Sequence, residues 1–171
     1  LYYTVFGIES LLAMQQPLPR EVIAGWLRQF GDGEGLDFVH LCCLARSWAA
    51  LDGKALAEDQ RLRLAARVEG YRASGGGYHV AQGREKGSAY GCLLAVAAYE
   101  DLGLPVPAPA EVKACMDGLL CPDGGWTNET MVLLPNAPGT AAALATYRRM
   151  GWPVPPSSVA WLLTCHRPEG G

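Results

Sequence analysis

This chain of 171 residues has no basic excess: 14 lysines and arginines stand against 17 aspartates and glutamates, a formal net charge of −3. That balance argues against a nucleic-acid footprint, which needs a basic stripe to meet phosphates. No apolar run reaches the roughly 20 residues a bilayer-spanning helix requires, so no transmembrane segment is expected. None of the six cysteines forms a Cys-x-x-Cys pair. Several sit inside apolar helical patterns, where a free thiol acts as a small hydrophobe, and the expectation is a reducing, cytoplasmic setting rather than a disulfide framework. No alternation of apolar and polar residues runs far enough to write a strand. Gly-x-Ser-x-Gly, His-Glu-x-x-His and phosphate-loop motifs are also missing, and with them those hydrolase, zinc-protease and nucleotide signatures.

What is present is half apolar and repetitive. An alanine- and leucine-rich helix, a Pro-rich linker, a second short helix and a glycine-rich turn recur four times. The first helices align as Tyr2-Tyr3-Thr4, Val39-His40-Leu41, Tyr90-Gly91-Cys92 and Pro138-Gly139-Thr140, and their last apolar anchors are Met14, Leu51, Leu102 and Met150. Self-similarity at this period means a helical-repeat fold. Each hairpin has too little apolar surface to be stable alone, so neighbours must stack. The expectation is an all-α chain, one repeat domain over 1–171 of about four helix pairs. It starts at Leu1 inside a helix and stops at Pro168-Glu169-Gly170-Gly171, before the aromatic the repeat calls for, so it reads as part of a longer ring.

Helix breakers set the boundaries. Pro17 and Pro19 precede a helix expected from Arg20 to Phe30, and Asp37 is placed to cap the next, which Asp52-Gly53 ends. Ser88 caps a very apolar helix ending at Leu102-Gly103, a good C-terminal glycine signal. Further helices are expected from Ala110 to Leu120 and after a cap at Ser157 or Ser158. The first helix of each pair is apolar nearly all round, which predicts burial on every side. Its partner has one apolar stripe, in one case Leu62, Leu64, Ala65 and Val68. Two layers follow, apolar helices inside and amphipathic ones outside, around a cavity suited to a large apolar ligand. Tyr78 and Trp126 are expected to lock neighbouring hairpins together, and Trp26, Trp48 and Trp161 to lie in the core.

Asp123-Gly124-Gly125-Trp126, Gly75-Gly76-Gly77-Tyr78 and the linker Leu102-Gly103-Leu104-Pro105-Val106-Pro107 together resemble the prenyltransferase and squalene-cyclase repeat family, the β subunits of protein prenyltransferases in particular. The resemblance implies an α/α toroid, a prenyltransferase-like activity on an isoprenoid diphosphate, and a partner subunit or homo-oligomer. Asp37-Phe38-Val39-His40-Leu41-Cys42-Cys43-Leu44 is similar to a segment whose His binds zinc in that family, which puts His40 on a metal-ligand position. Of the family's other two ligands, the Cys position aligns with Tyr2 and the Asp position falls before Leu1, with Gly87 and Ala89 as the equivalents in the following repeat. A hydrogen-bonded inner-helix His is the alternative. Arg84, Lys86 and Tyr90 fall on or near positions that bind diphosphate in the family, and their place ahead of a helix N-terminus suits an anion. A plain polar loop is the alternative there. Tyr3, Phe6 and Cys43 fall on the helix face that would line the isoprenoid cavity, with Gly91 and Gly139 widening it. Asp-x-Asp-Asp, the acid of alkene-protonating cyclases, is absent. A cyclase with its acid elsewhere and a non-catalytic binding scaffold remain as other readings. Cys115 and Cys121 read as incidental thiols.

Overall fold

A computed structural model describes residues 1–51, 56–132, 134–167 and 169. The expected helix stop at Asp52-Gly53 and the closing Pro168, Gly170 and Gly171 lie outside them. The described residues form eight α-helices and no strand, and two isolated antiparallel bridges are the only extended pairing among them. They group into two compact units, one of residues 1–71 and 97–106, the other of residues 72–96 and 107–171.

The first unit holds α1 (Tyr2–Ala13), α2 (Arg20–Leu27), α3 (Phe38–Ala49), α4 (Glu58–Glu69) and the end of α5 (Ala89–Asp101). α2 tightens into a 3-10 turn over Arg28–Phe30, so the apolar spacing up to Phe30 spans two kinds of helix. α3 is central and packs against α1, α2 and α4. Its Phe38, Leu41 and Leu44 join Leu27, Leu64 and Val68 in a fully buried core. Arg46 ties the unit together by bonding Glu9 at 2.8 Å and Asp101 at 2.9 Å.

The second unit holds a glycine–aromatic turn, the start of α5, then α6 (Pro109–Asp117), a second such turn, α7 (Ala137–Arg149) and α8 (Pro156–Cys165). Tyr78 and Trp126, the aromatics of the two turns, are wholly buried, and so are Val112 and Met116 of α6. The two turns share their main backbone bonds at a spacing of 48 residues. Ser88 N–H donates to Tyr78 O at 2.8 Å, and Asn136 N–H donates to Trp126 O at 3.1 Å. Ala73 N–H donates to Gly77 O as Cys121 N–H does to Gly125 O. Gly76 and Gly124 sit at φ +96° and +97°, a left-handed conformation that a side chain would strain.

Burial departs from the sequence reading in places. α3 and α5 are not buried on every side: Val39, His40, Cys43 and Arg46 on α3, and Tyr90, Leu93, Leu94 and Ala97 on α5, stay partly open. Ile8 is the sole buried residue of the apolar α1, whose one main neighbour is α3. Trp48 is core, whereas Trp26 is 43% exposed and stacks edge-on against Phe30. Trp161 is half-buried and donates to Asp123. Leu62 is exposed, off the α4 stripe that Leu64, Ala65 and Val68 form. α8 starts on Pro156 rather than after a serine cap, and Ser158 lies buried in its first turn.

Candidate functional site

Asp37, Ser88 and Asn136 cap α3, α5 and α7 in the same manner, each side-chain oxygen accepting the N–H three residues on. The acceptor–donor distances are 2.9 Å to His40, 3.0 Å to Gly91 and 2.7 Å to Gly139. At Gly91 and Gly139 the aromatic turn presses on the helix. A Cβ on Gly91 would collide with Tyr78 O and reach 2.8 Å from the His79 Cα. One on Gly139 would lie 3.0 Å from Trp126 O. These glycines therefore admit a close backbone approach and do not widen a cavity.

The third position of this kind carries His40. Its Nδ1 lies 2.9 Å from both Asp37 carboxylate oxygens, and the side chain is 42% exposed. The Asp37 carboxyl is held below its usual value, chiefly by the His40 backbone N–H, which with the imidazole outweighs the opposing effect of burial. Cys43, one turn on, is half-buried, and burial pushes its thiol up. Among the described residues no three His, Cys, Asp or Glu side chains stand close enough to hold a metal. The Asp37 contact at Nδ1 leaves Nε2 as the ring's metal-binding nitrogen, and among the described residues no set of three ligands forms around it. Tyr3 and Phe6 lie in the same unit on α1, 85% and 53% exposed. The Tyr2 ring meets both edge-on, at 5.7 Å and 5.0 Å.

The basic residues ahead of α5 belong to the second unit. Arg84 and Lys86 line an open cleft of about 410 Å³ with His79, Glu85, Gly87, Glu129, Thr130 and Met131. Neither cation has an ion-pair partner among the described residues, whereas Arg46, Arg63, Arg67, Arg72 and Lys113 all do. Tyr90 starts α5 nearby but is not part of the cleft wall among the described residues. The α5 N-terminus itself is closed to an anion. Asn128 takes the Ala89 and Tyr90 N–H groups, with its carbonyl at 2.9 Å and its side-chain oxygen at 3.0 Å, and Ser88 takes that of Gly91. Charge on side chains, and not the helix end, is what this cleft offers.

His79 was not singled out by the sequence. It is buried, and the Ala81 N–H donates to its Nδ1 at 2.9 Å. An accepting Nδ1 leaves the ring proton on Nε2, which faces Glu129 Oε1 at 3.5 Å. With Nδ1 taken by the backbone and Nε2 turned to Glu129, the imidazole is fixed in orientation at the cleft. The signal that marks it is positional: it follows the locking aromatic, and its counterpart 48 residues on, Thr127, is a buried polar residue too.

Set against protein-family models, curated proteins and solved structures, the chain matches none of them. Among the described residues no helix is long and apolar enough to cross a membrane.

Proposed function

We propose that this chain is part of an α/α toroid of the prenyltransferase type and that the cleft of Arg84, Lys86 and His79 receives the diphosphate of an isoprenoid ligand. The observation that carries the reading is that two cations with no ion-pair partner among the described residues line a cleft that also holds an oriented histidine. The 48-residue repeat of the glycine–aromatic turn supports the toroid. Glu129 is engaged by His79, which leaves Glu85 as the other carboxylate lining the cleft and lets a diphosphate gain from both cations. Tyr3 and Phe6, in the first unit, offer exposed aromatic surface for a partner subunit. In a transferase of this type the apolar surroundings keep water from an allylic cation while the diphosphate leaves.

The test is a titration of the protein with farnesyl and geranylgeranyl diphosphate, read by tryptophan fluorescence, with inorganic diphosphate as competitor. Saturable binding that weakens roughly 10-fold or more in Arg84→Ala and in Lys86→Ala is expected, the loss of one charge-assisted hydrogen bond each. Binding indifferent to both substitutions removes the cleft from the reading. No binding at all leaves a scaffold or a cyclase for an uncharged substrate.

A further inference from the structure

Cys92 on α5 and Cys115 on α6 lie in the second unit with their sulfurs 3.9 Å apart, and both are free thiols. Cys92 is fully buried, whereas Cys115 is half-buried and lines a cleft of about 300 Å³ with Lys86, Gly87, Leu119 and Thr130. Two glycines make room for the pair. A Cβ on Gly77 would fall 2.5 Å from the Cys115 sulfur and 3.0 Å from that of Cys92, and one on Gly87 would fall 2.8 Å from Cys115. No side chain at Gly77 therefore separates the sulfurs, and a disulfide needs them to close by about 1.9 Å. The two thiols also differ in readiness. The Cys92 S–H and the Gly87 N–H bond the Cys115 sulfur and lower its pKa against the effect of burial, while the same pairing and burial raise that of Cys92.

We propose that Cys92 and Cys115 form a peroxide-sensitive dithiol, with Cys115 as the thiol attacked first and Cys92 as the one that resolves it. The Cys115 thiolate attacks one oxygen of a hydroperoxide. An S–O bond forms, the O–O bond breaks, and the leaving alkoxide or hydroxide takes a proton to become an alcohol or water. The Cys92 sulfur then displaces water from the Cys115 sulfenic acid, and the S–S bond ties α5 to α6. Two thiols lose two electrons and two protons, and the peroxide accepts both. An added thiol reverses the step by exchange. This inference stands apart from the isoprenoid reading, since it uses neither Arg84 nor a ligand.

The experiment treats the whole chain with hydrogen peroxide and maps its thiols by peptide mass spectrometry. The expected product is a Cys92–Cys115 peptide pair lighter by two hydrogens and restored by dithiothreitol, with Cys42, Cys43, Cys121 and Cys165 still open to alkylation after unfolding. Before oxidation Cys115 should alkylate about tenfold faster than Cys92 at neutral pH. In Cys92→Ser the sulfenic acid should persist on Cys115 and be trapped by dimedone. Absence of the linked peptide in the wild-type chain, or oxidation falling first on Cys121 or Cys165, overturns the proposal. The wild-type map decides the matter even if a serine variant fails to fold.

Discussion

The turn that carries Tyr78 and the turn that carries Trp126 are one construction built twice, and they part at the side chain that closes them. In the second, the Thr140 hydroxyl takes the Trp126 N–H at 2.9 Å and faces Trp126 O at 3.5 Å. In the first, the same place is held by Cys92, whose sulfur is 3.4 Å from Tyr78 N and 3.9 Å from Tyr78 O. A hydroxyl at this position binds the turn well, while a thiol binds it loosely and places its sulfur against Cys115. The aromatics differ too. Trp126 donates its ring N–H to Met116 O at 3.0 Å, whereas the Tyr78 hydroxyl accepts from Arg72 at 2.6 Å. The backbone bonds of the turn are thus what the fold requires, and the closing side chains are open to chemistry.

The largest expected difference between the two copies lies at the glycine under each turn. Gly91→Ala would drive its Cβ into backbone atoms that have no room to move, and should cost about 3 kcal/mol of stability. Gly139→Ala meets contacts of 3.0 Å and above, and gains helix propensity in return, so it should stay within about 1 kcal/mol. Urea midpoints of the two variants decide this, and equal losses would break the comparison. Next comes the closing side chain. Thr140→Val keeps the shape but leaves the buried Trp126 N–H without its acceptor, a loss of about 2 kcal/mol. Cys92→Val in the looser copy should cost less when unfolded under the same conditions.

The smallest effect concerns a tyrosine bond that also recurs at 48 residues. The Tyr99 hydroxyl donates to Glu69 at 2.8 Å within the first unit, and the Tyr147 hydroxyl donates to Asp117 within the second. Burial tends to raise the Asp117 pKa, but the hydrogen bonds from Lys113 and Tyr147 and the Lys113 charge outweigh it and hold the carboxyl below its usual 3.8. A depressed carboxylate adds stability that is complete above the unfolded value and is lost as pH falls through the lower folded one. Unfolding followed from pH 6 downwards should therefore show a loss below about 3.8 that shrinks in Asp117→Asn. An identical pH profile in that variant would deny Asp117 the role. The same bond accounts for the Tyr147 hydroxyl, whose pKa is raised by burial and by its carboxylate acceptor.

Much of the fold was legible because its signals are local. Asp37 and Ser88 cap the helices they precede, since a side-chain oxygen three residues ahead of an N–H is a matter of one turn of chain. The glycine at Leu102-Gly103 ends α5 at φ +65° with the Leu104 N–H returned to Tyr99 O, a cap written in the sequence. The candidate site was less legible. Arg84 and Lys86 do meet in one cleft, but His79, which gives that cleft its oriented imidazole, sits in a loop with no periodicity to mark it. Trp26 and Leu62 show the opposite error. Their spacing fits an apolar stripe, yet exposure depends on which neighbour a helix meets.

The sequence by itself determined most of the helices, the caps at Asp37 and Ser88 and the recurrence of the glycine–aromatic turn, because these rest on interactions within a few residues and on a pattern repeated along the chain. Only the tertiary structure decided that Gly91 and Gly139 exist to admit a passing backbone, that Asn128 closes the α5 N-terminus, and that Cys92 meets Cys115 across 23 residues of chain. Each of these is a contact between elements, and such contacts are fixed by how the helices pack and not by the residues on either side.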